Sequence, residues 1–210
     1  RDDLYPLRVL TVSSAEGKNR NEAGNRLRTL HSMLSVGDAV KLVSSDISSP
    51  TTPEILRRDV QALRPHVLHF EASVVPSNEA DGSVENEIFL GGQGTLKLSE
   101  LIPLLQGVQL VTFGNNHDGG FLNNPLLELI DGLVAEVGLP AAVAATRPVE
   151  ESSALTFWRG FYRAWLNGKS IEEAVATARA ELSGGLDWSA FALFGNPSVV
   201  GRLSLPRAAA

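Results

Sequence analysis

The sequence of 210 residues contains no cysteine. This absence excludes disulfide bonds, thiolate metal sites, iron–sulfur clusters and a cysteine nucleophile. The chain also lacks an excess of positive charge, because 18 Lys and Arg residues face 24 Asp and Glu residues, for a formal net charge of −6. A protein that binds nucleic acid non-specifically needs a basic face, so we expect no nucleic-acid partner.

Long hydrophobic runs are missing as well. The longest uncharged apolar stretch, residues 137–146, is about half of the roughly 20 residues that a membrane-spanning helix needs. We therefore expect no membrane partner. The chain starts at Arg1 without an apolar signal core, which favours a cytoplasmic protein. We take residues 1–206 as one domain excised from a larger multidomain protein, and residues 207–210 resemble a cloning scar.

Short apolar runs alternate with stretches of helical periodicity along most of the chain. The runs predict strands at residues 7–14, 39–45, 66–73, 107–114, 140–145 and 188–194. The periodic stretches predict helices at residues 21–35, 53–64, 99–106 and 125–137, followed by two more that contain residues 158–166 and 171–182. Strands separated by helices indicate an α/β fold with a mostly parallel sheet covered on both faces. Sites in such sheets form at the carboxyl ends of the strands.

A glycine-rich run, Gly91-Gly92-Gln93-Gly94, interrupts two short strand-like pieces at residues 87–98. It favours a hairpin turn over a phosphate-binding loop, because no helix N-terminus follows that could hold an anion. We therefore expect no nucleotide cofactor. The preceding polar stretch, residues 76–86, is typical of a loop.

The four histidines have different contexts. His31 lies on the apolar side of a predicted helix and should be half-buried, whereas His66 begins a strand and should be exposed. His69 lies inside a buried strand, where a core histidine with a hydrogen-bond partner is the favoured interpretation. His117 follows the fourth strand beside Asp118, and this pair could act as a general base or bind a metal. One histidine and one carboxylate are too few for a metal site, so we expect no metal.

Two serines at strand ends are possible hydroxyl nucleophiles. Ser14 follows the first strand and Ser73 follows the third. Neither lies in a Gly-x-Ser-x-Gly turn, and serines at strand ends commonly cap the following turn. Without a base in evidence, the structural interpretation is favoured for both.

Several segments, in this order and spacing, resemble the CHAT domain, a caspase-like peptidase family often fused to helical repeats. They are residues 67–70, the hairpin and short helix at 90–101, and residues 108–111, 140–144, 161–166, 171–179 and 188–195. The resemblance runs from about Leu7 to Leu203. It implies a caspase-like three-layer sandwich, with a mostly parallel sheet of about six strands between helices and a small peripheral hairpin.

The resemblance also places the catalytic dyad of the family. The family pattern after the third strand is Leu-His-Phe-Ala-Gly-His-Gly, in which the second histidine is the general base. Here residues 68–74 read Leu-His-Phe-Glu-Ala-Ser-Val, so Ser73 takes the position of that histidine. The fourth strand of the family ends in a small residue and then the nucleophilic cysteine, and here Gly114 and Asn115 follow one another. The resemblance therefore implies a domain with both dyad positions substituted and no catalytic residue.

These observations lead to one hypothesis and two alternatives. The leading one is a catalytically inactive CHAT domain of bacterial origin that binds or scaffolds protein. Its partner would be a peptide segment in the former substrate cleft, another caspase-like protomer, or other domains of the parent protein. One alternative is a hydrolase of altered chemistry that uses His117 as the base and Asp118 to orient it, with a hydroxyl nucleophile or a metal. Asn116 and Ser14 complete the possible residual site. The other is a small-ligand-binding α/β domain.

Overall fold

The computed structural model describes residues 7–13, 19–34, 40–44, 51–78, 84–91, 94–114, 124–182 and 185–200. A six-stranded sheet runs through the centre. Its strands, in their order across the sheet, are β2 (Val40–Ser44), β1 (Leu7–Ser13), β3 (Val67–Glu71), β7 (Leu110–Phe113), β8 (Ala141–Ala145) and β9 (Phe191–Gly195). All neighbours are parallel except β9, which runs antiparallel to β8. The predicted mostly parallel sheet of six strands is confirmed.

Helices cover both faces of this sheet. The helices are α1 (Asn19–Leu34), α2 (Pro53–Leu63), α3 (Leu98–Leu101), α4 (Pro125–Asp131), α5 (Glu151–Leu166) and α6 (Ile171–Ala180). A 3₁₀ turn, Ile102–Leu105, extends α3, and a π-helical turn, Gly132–Glu136, extends α4. None of the described helices is both long and apolar enough to cross a membrane.

Alternation along the strands divides the apolar residues between two cores. Leu7 and Val9 of β1 pack with α1, α5 and α6, whereas Leu10 and Val12 point to the opposite face, where α2 and α4 lie. The aromatic side chains of α5 are buried in the first core. The result is the three-layer sandwich that the resemblance implies.

Residues 76–78 and 84–86 of the stretch predicted as a polar loop lie in strands, so the prediction is wrong there, and residues 79–83 lie outside the described residues. A separate antiparallel sheet contains β4 (Val74–Asn78), β5 (Val84–Gly91) and β6 (Gly94–Lys97), in that order. Pro76 lies in β4, at the edge of this sheet, where a strand can tolerate a residue that lacks an amide hydrogen. The hairpin between β5 and β6 is confirmed, and Gly92 and Gln93 lie outside the described residues.

Several strand boundaries also differ from the prediction. β3 ends at Glu71, two residues before Ser73, because the chain turns there to start β4. The last strand begins at Phe191, since residues 187–189 form a 3₁₀ turn whose carboxylate Asp187 lies 3.7 Å from the Arg147 guanidinium.

Hydrogen bonds fix both ends of α2. Thr52 Oγ1 accepts a hydrogen bond from the amide of Ile55, which caps the N-terminus next to Pro53. At the other end, Arg64 adopts a left-handed backbone conformation (φ 48°), and its amide donates to the Val60 carbonyl at 2.7 Å.

Candidate functional site

The carboxyl ends of β3 and β7 lie side by side, because these two parallel strands are neighbours in the sheet. The amide of Gly114, directly after β7, donates to the Phe70 carbonyl at 2.8 Å and so extends the pairing. Ser73 follows β3 and is half-buried. Its carbonyl accepts a hydrogen bond from the Phe89 amide at 2.9 Å, which ties this turn to β5.

Gly114 is in close contact with the side chain of Glu71. A β-carbon added at Gly114 would lie 2.0 Å from Glu71 Oε1, far inside van der Waals contact. The Gly114 carbonyl accepts a hydrogen bond from Trp158 Nε1 at 2.8 Å. The end of β7 is therefore held between a carboxylate and an indole, and glycine is the residue that fits there.

Glu71 belongs to a buried polar cluster with His69, Thr112 and Tyr162. His69 Nδ1 lies 2.7 Å from Thr112 Oγ1 and 3.1 Å from the Tyr162 hydroxyl, and His69 Nε2 lies 3.2 Å from Glu71 Oε1. The Tyr162 hydroxyl is also 3.0 Å from Thr112 Oγ1. Only 1% of His69 and 5% of Glu71 are exposed. The four side chains satisfy one another beneath the strand ends.

Burial also affects protonation in this polar cluster. Glu71 Oε1 is placed to accept a hydrogen bond from His69 Nε2. Burial raises the pKa of Tyr162 far above its usual value, and the Glu71 charge adds to the effect. Tyr162 therefore remains a protonated hydrogen-bond donor at neutral pH.

The buried polar cluster is inaccessible to a substrate, so its hydrogen bonds stabilise the fold and take no part in a reaction. It confirms the interpretation of His69 as a core histidine with partners. His31 is half-buried as expected, with Nε2 3.0 Å from Thr11 Oγ1. Burial lowers the pKa of His31, and the nearby His69 lowers it further.

The prediction that His66 is exposed is wrong. Only 7% of this residue is accessible. It precedes β3 rather than starting it, and the backbone amide of Arg8 donates to its Nδ1 at 3.2 Å. Pairing with the neighbouring strand draws the ring inward.

The remaining predicted site residues lie outside the described residues. They are Ser14, Asn115, Asn116, His117 and Asp118, and their roles stay predictions. Within the described ranges, no group of three His, Asp or Glu side chains lies together as metal ligands would.

Sequence reasoning missed three members of the buried polar cluster: Glu71, Thr112 and Tyr162. Glu71 carried a usable indication, because an acidic residue inside an otherwise apolar buried strand requires a partner. Tyr162 belongs to the aromatic face of α5, whose spacing predicts a packed apolar stripe and gives no sign that one member has a polar partner.

The family model described as the CHAT domain matches residues 12–196. A secreted C11 cysteine protease from Bacteroides thetaiotaomicron, solved with an irreversible peptide inhibitor, superimposes with a TM-score of 0.57 at 10% identity, over 90% of this chain and 66% of that chain. This chain thus spans about two thirds of the length of that protease, and the likeness is one of fold.

A second solved structure, the Drosophila initiator caspase Dronc, superimposes with a TM-score of 0.49 at 7% identity. That superposition covers 91% of this chain and 79% of the caspase. The sequence has no match among curated proteins.

Proposed function

The chain belongs to the CHAT domain family, and from this premise we propose that it is a catalytically inactive, caspase-like member that binds or scaffolds protein within a larger multidomain protein. One observation carries the proposal. The sequence contains no cysteine, and a cysteine peptidase cannot form its acyl intermediate without a thiolate.

The general base of such a peptidase is missing at the matching position as well. Ser73 stands where the family has its histidine, and a serine hydroxyl does not accept a proton near neutral pH. His69 cannot replace it, because that ring is buried and hydrogen-bonded to Glu71, Thr112 and Tyr162. Asn115, at the position of the cysteine, offers no nucleophile.

Two surfaces support a role in binding. A peptide segment is the proposed partner for the turn at Ser73, which lies at the edge where two strands end. A second caspase-like protomer is the proposed partner for β9, an edge strand of the central sheet, since edge strands present unpaired backbone groups. Trp188, which is 49% exposed, lies just before β9.

The absence of catalysis is tested with a library of fluorogenic peptides. We expect no turnover above buffer for the purified chain at neutral pH. The proposal fails if the chain cleaves a peptide and Ser73→Ala or Asn115→Ala abolishes that cleavage at an unchanged melting temperature. Cleavage abolished by His117→Ala would instead establish the hydrolase of altered chemistry.

Peptide binding is tested on an immobilised peptide array. We expect a subset of sequences to retain the chain, and Ser73→Trp to lose them because the indole fills the turn. Ser77→Trp, on β4, is the matched control and should bind as the unaltered chain does. Equal peptide binding by both variants would show that the peptide does not bind at Ser73.

A further inference from the structure

A cavity of about 660 Å³ lies where the parallel strands of the central sheet begin, at the end of the sheet opposite to Ser73 and Gly114. It is open to solvent between α2 and the turn after α3. Its polar lining comes from Arg8, Gln61, Arg64, His66, Gln106 and Gln109. The strand-end residues discussed above do not contribute to it.

The charge of this cavity is opposite to that of the chain as a whole. The chain has a formal net charge of −6, yet the described residues that line the cavity supply two guanidinium groups, one imidazole and three carboxamides, with no carboxylate among them. Within the described part of the chain, neither Arg8 nor Arg64 forms an ion pair. Cationic side chains gathered without a carboxylate attract an anion from solution.

The Arg64 carbonyl holds the Arg8 side chain in place. Arg8 Nε donates to this carbonyl at 2.8 Å, and Arg8 Nη2 lies 2.7 Å from His66 Nε2. The Arg8 amide donates to the other ring nitrogen of His66. Since an imidazole accepts at no more than one nitrogen, His66 Nε2 is not an acceptor for the guanidinium. The guanidinium is therefore positioned by a neutral carbonyl, which does not neutralise its charge.

The backbone of Arg64 is also fixed in an unfavourable conformation. Its φ of 48° makes it the one non-glycine residue with a positive φ in the described part of the chain. Left-handed backbone is costly for residues other than Gly, Asn and Asp. Here the conformation ends α2 and leaves an exposed arginine at the cavity.

We propose that this cavity is a binding site for a small oxyanion, a phosphate or carboxylate group, which Arg8 and Arg64 hold together with the glutamine amides. The planar guanidinium donates two parallel hydrogen bonds to either kind of oxyanion. The site is separate from the proposed peptide-binding turn and does not depend on it.

The test is isothermal titration calorimetry of the chain with pyrophosphate and, in a second arm, with citrate, against sodium chloride of equal ionic strength. We expect saturable binding of at least one anion, and the tighter arm identifies the phosphate or carboxylate source. Arg64→Asn should weaken that binding at least about tenfold, since it removes one guanidinium while Asn tolerates the left-handed backbone.

Two further variants control this result. Arg159→Gln makes the same charge change on α5, outside the cavity lining, and should bind as the unaltered chain does. Arg8→Lys keeps the charge but loses the planar donor pair, and should also weaken binding. The proposal is overturned if neither anion binds beyond the salt control. It is also overturned if Arg64→Asn and Arg8→Lys bind the anion as tightly as Arg159→Gln and the unaltered chain do. Melting temperatures establish that each variant is folded.

Discussion

The carboxyl edge of the central sheet, where the parallel strands end, differs from the amino edge, where they begin, in how polar side chains are paired. At the carboxyl edge, His69, Glu71, Thr112 and Tyr162 are buried and satisfy one another. At the amino edge, Arg8 and Arg64 line an open cavity, and none of its described lining residues is a carboxylate. Parallel sheets usually present a site at the carboxyl edge. In the described part of this chain, the polar side chains at that edge bond to one another. The opposite edge keeps cationic groups available to a ligand.

The largest expected effect is on the carboxyl edge, from Gly114→Ala. The added methyl group would overlap the Glu71 carboxylate, which is buried and bonded to His69 and so has nowhere to move. We expect a loss of about 1–3 kcal/mol in the free energy of unfolding, measured by urea denaturation.

A double-mutant cycle shows whether that loss comes from Glu71. In a Glu71→Ala background the same Gly114→Ala change should cost less, with a coupling of about 0.5–3 kcal/mol. An equal cost in both backgrounds would mean that Glu71 does not restrict position 114, and the contrast between the edges would lose its main support.

A smaller effect is expected from Thr112→Val, which keeps the shape of the side chain but removes a hydroxyl from the buried polar cluster. Loss of the contacts with His69 and Tyr162 should cost about 1–2 kcal/mol. Thr156→Val is the matched control, because that hydroxyl bonds to the Ser152 carbonyl on the exposed side of α5. Similar losses for both variants would show that the cluster adds no special stability.

Acidification should also lower the stability of the folded chain through His31. The pKa of His31 lies below its ordinary value of 6.5 in the folded chain, so the unfolded chain binds the proton more readily. The stabilising contribution is complete above pH 6.5 and is lost as pH falls through the folded pKa. The melting temperature should drop on going from about pH 7.5 to about pH 5.5, and less so in His31→Gln. Parallel curves for the two proteins would refute this role of His31.

The smallest effect on stability is expected at the amino edge. Arg64→Asn removes an exposed side chain, and the carbonyl that accepts from Arg8 belongs to the backbone and remains. Its free energy of unfolding should stay within about 0.5 kcal/mol of the unaltered chain. A loss as large as that of Thr112→Val would mean that the arginine stabilises the fold, and the two edges would no longer differ in kind.

Much of this architecture could be predicted from apolar periodicity alone. The runs that became β1, β3, β7 and β8 are buried on both faces, so their composition is continuous and easy to recognise. The small sheet was only partly predicted, because β4 is short, contains Pro76 and ends in two polar residues, Ser77 and Asn78. Such an edge strand depends on pairing with β5 rather than on its own composition.

The candidate site was less accessible to sequence reasoning. The burial of His66 follows from the pairing of β1 with β3, which no local pattern shows. Tyr162 and Glu71 are far apart in the chain, and their proximity depends on how α5 lies on the sheet. The family resemblance identified positions 73 and 115 as substituted, and that alignment stays a prediction because Asn115 lies outside the described residues.

The contact between Glu71 and Gly114 has a consequence for the charge at the end of β7. Glu71 is buried, and its carboxylate lies where a β-carbon at position 114 would be. A negative charge raises the pKa of a nearby thiol and keeps it protonated. A cysteine introduced directly after Gly114 would therefore be poorly ionised unless Glu71 were replaced as well.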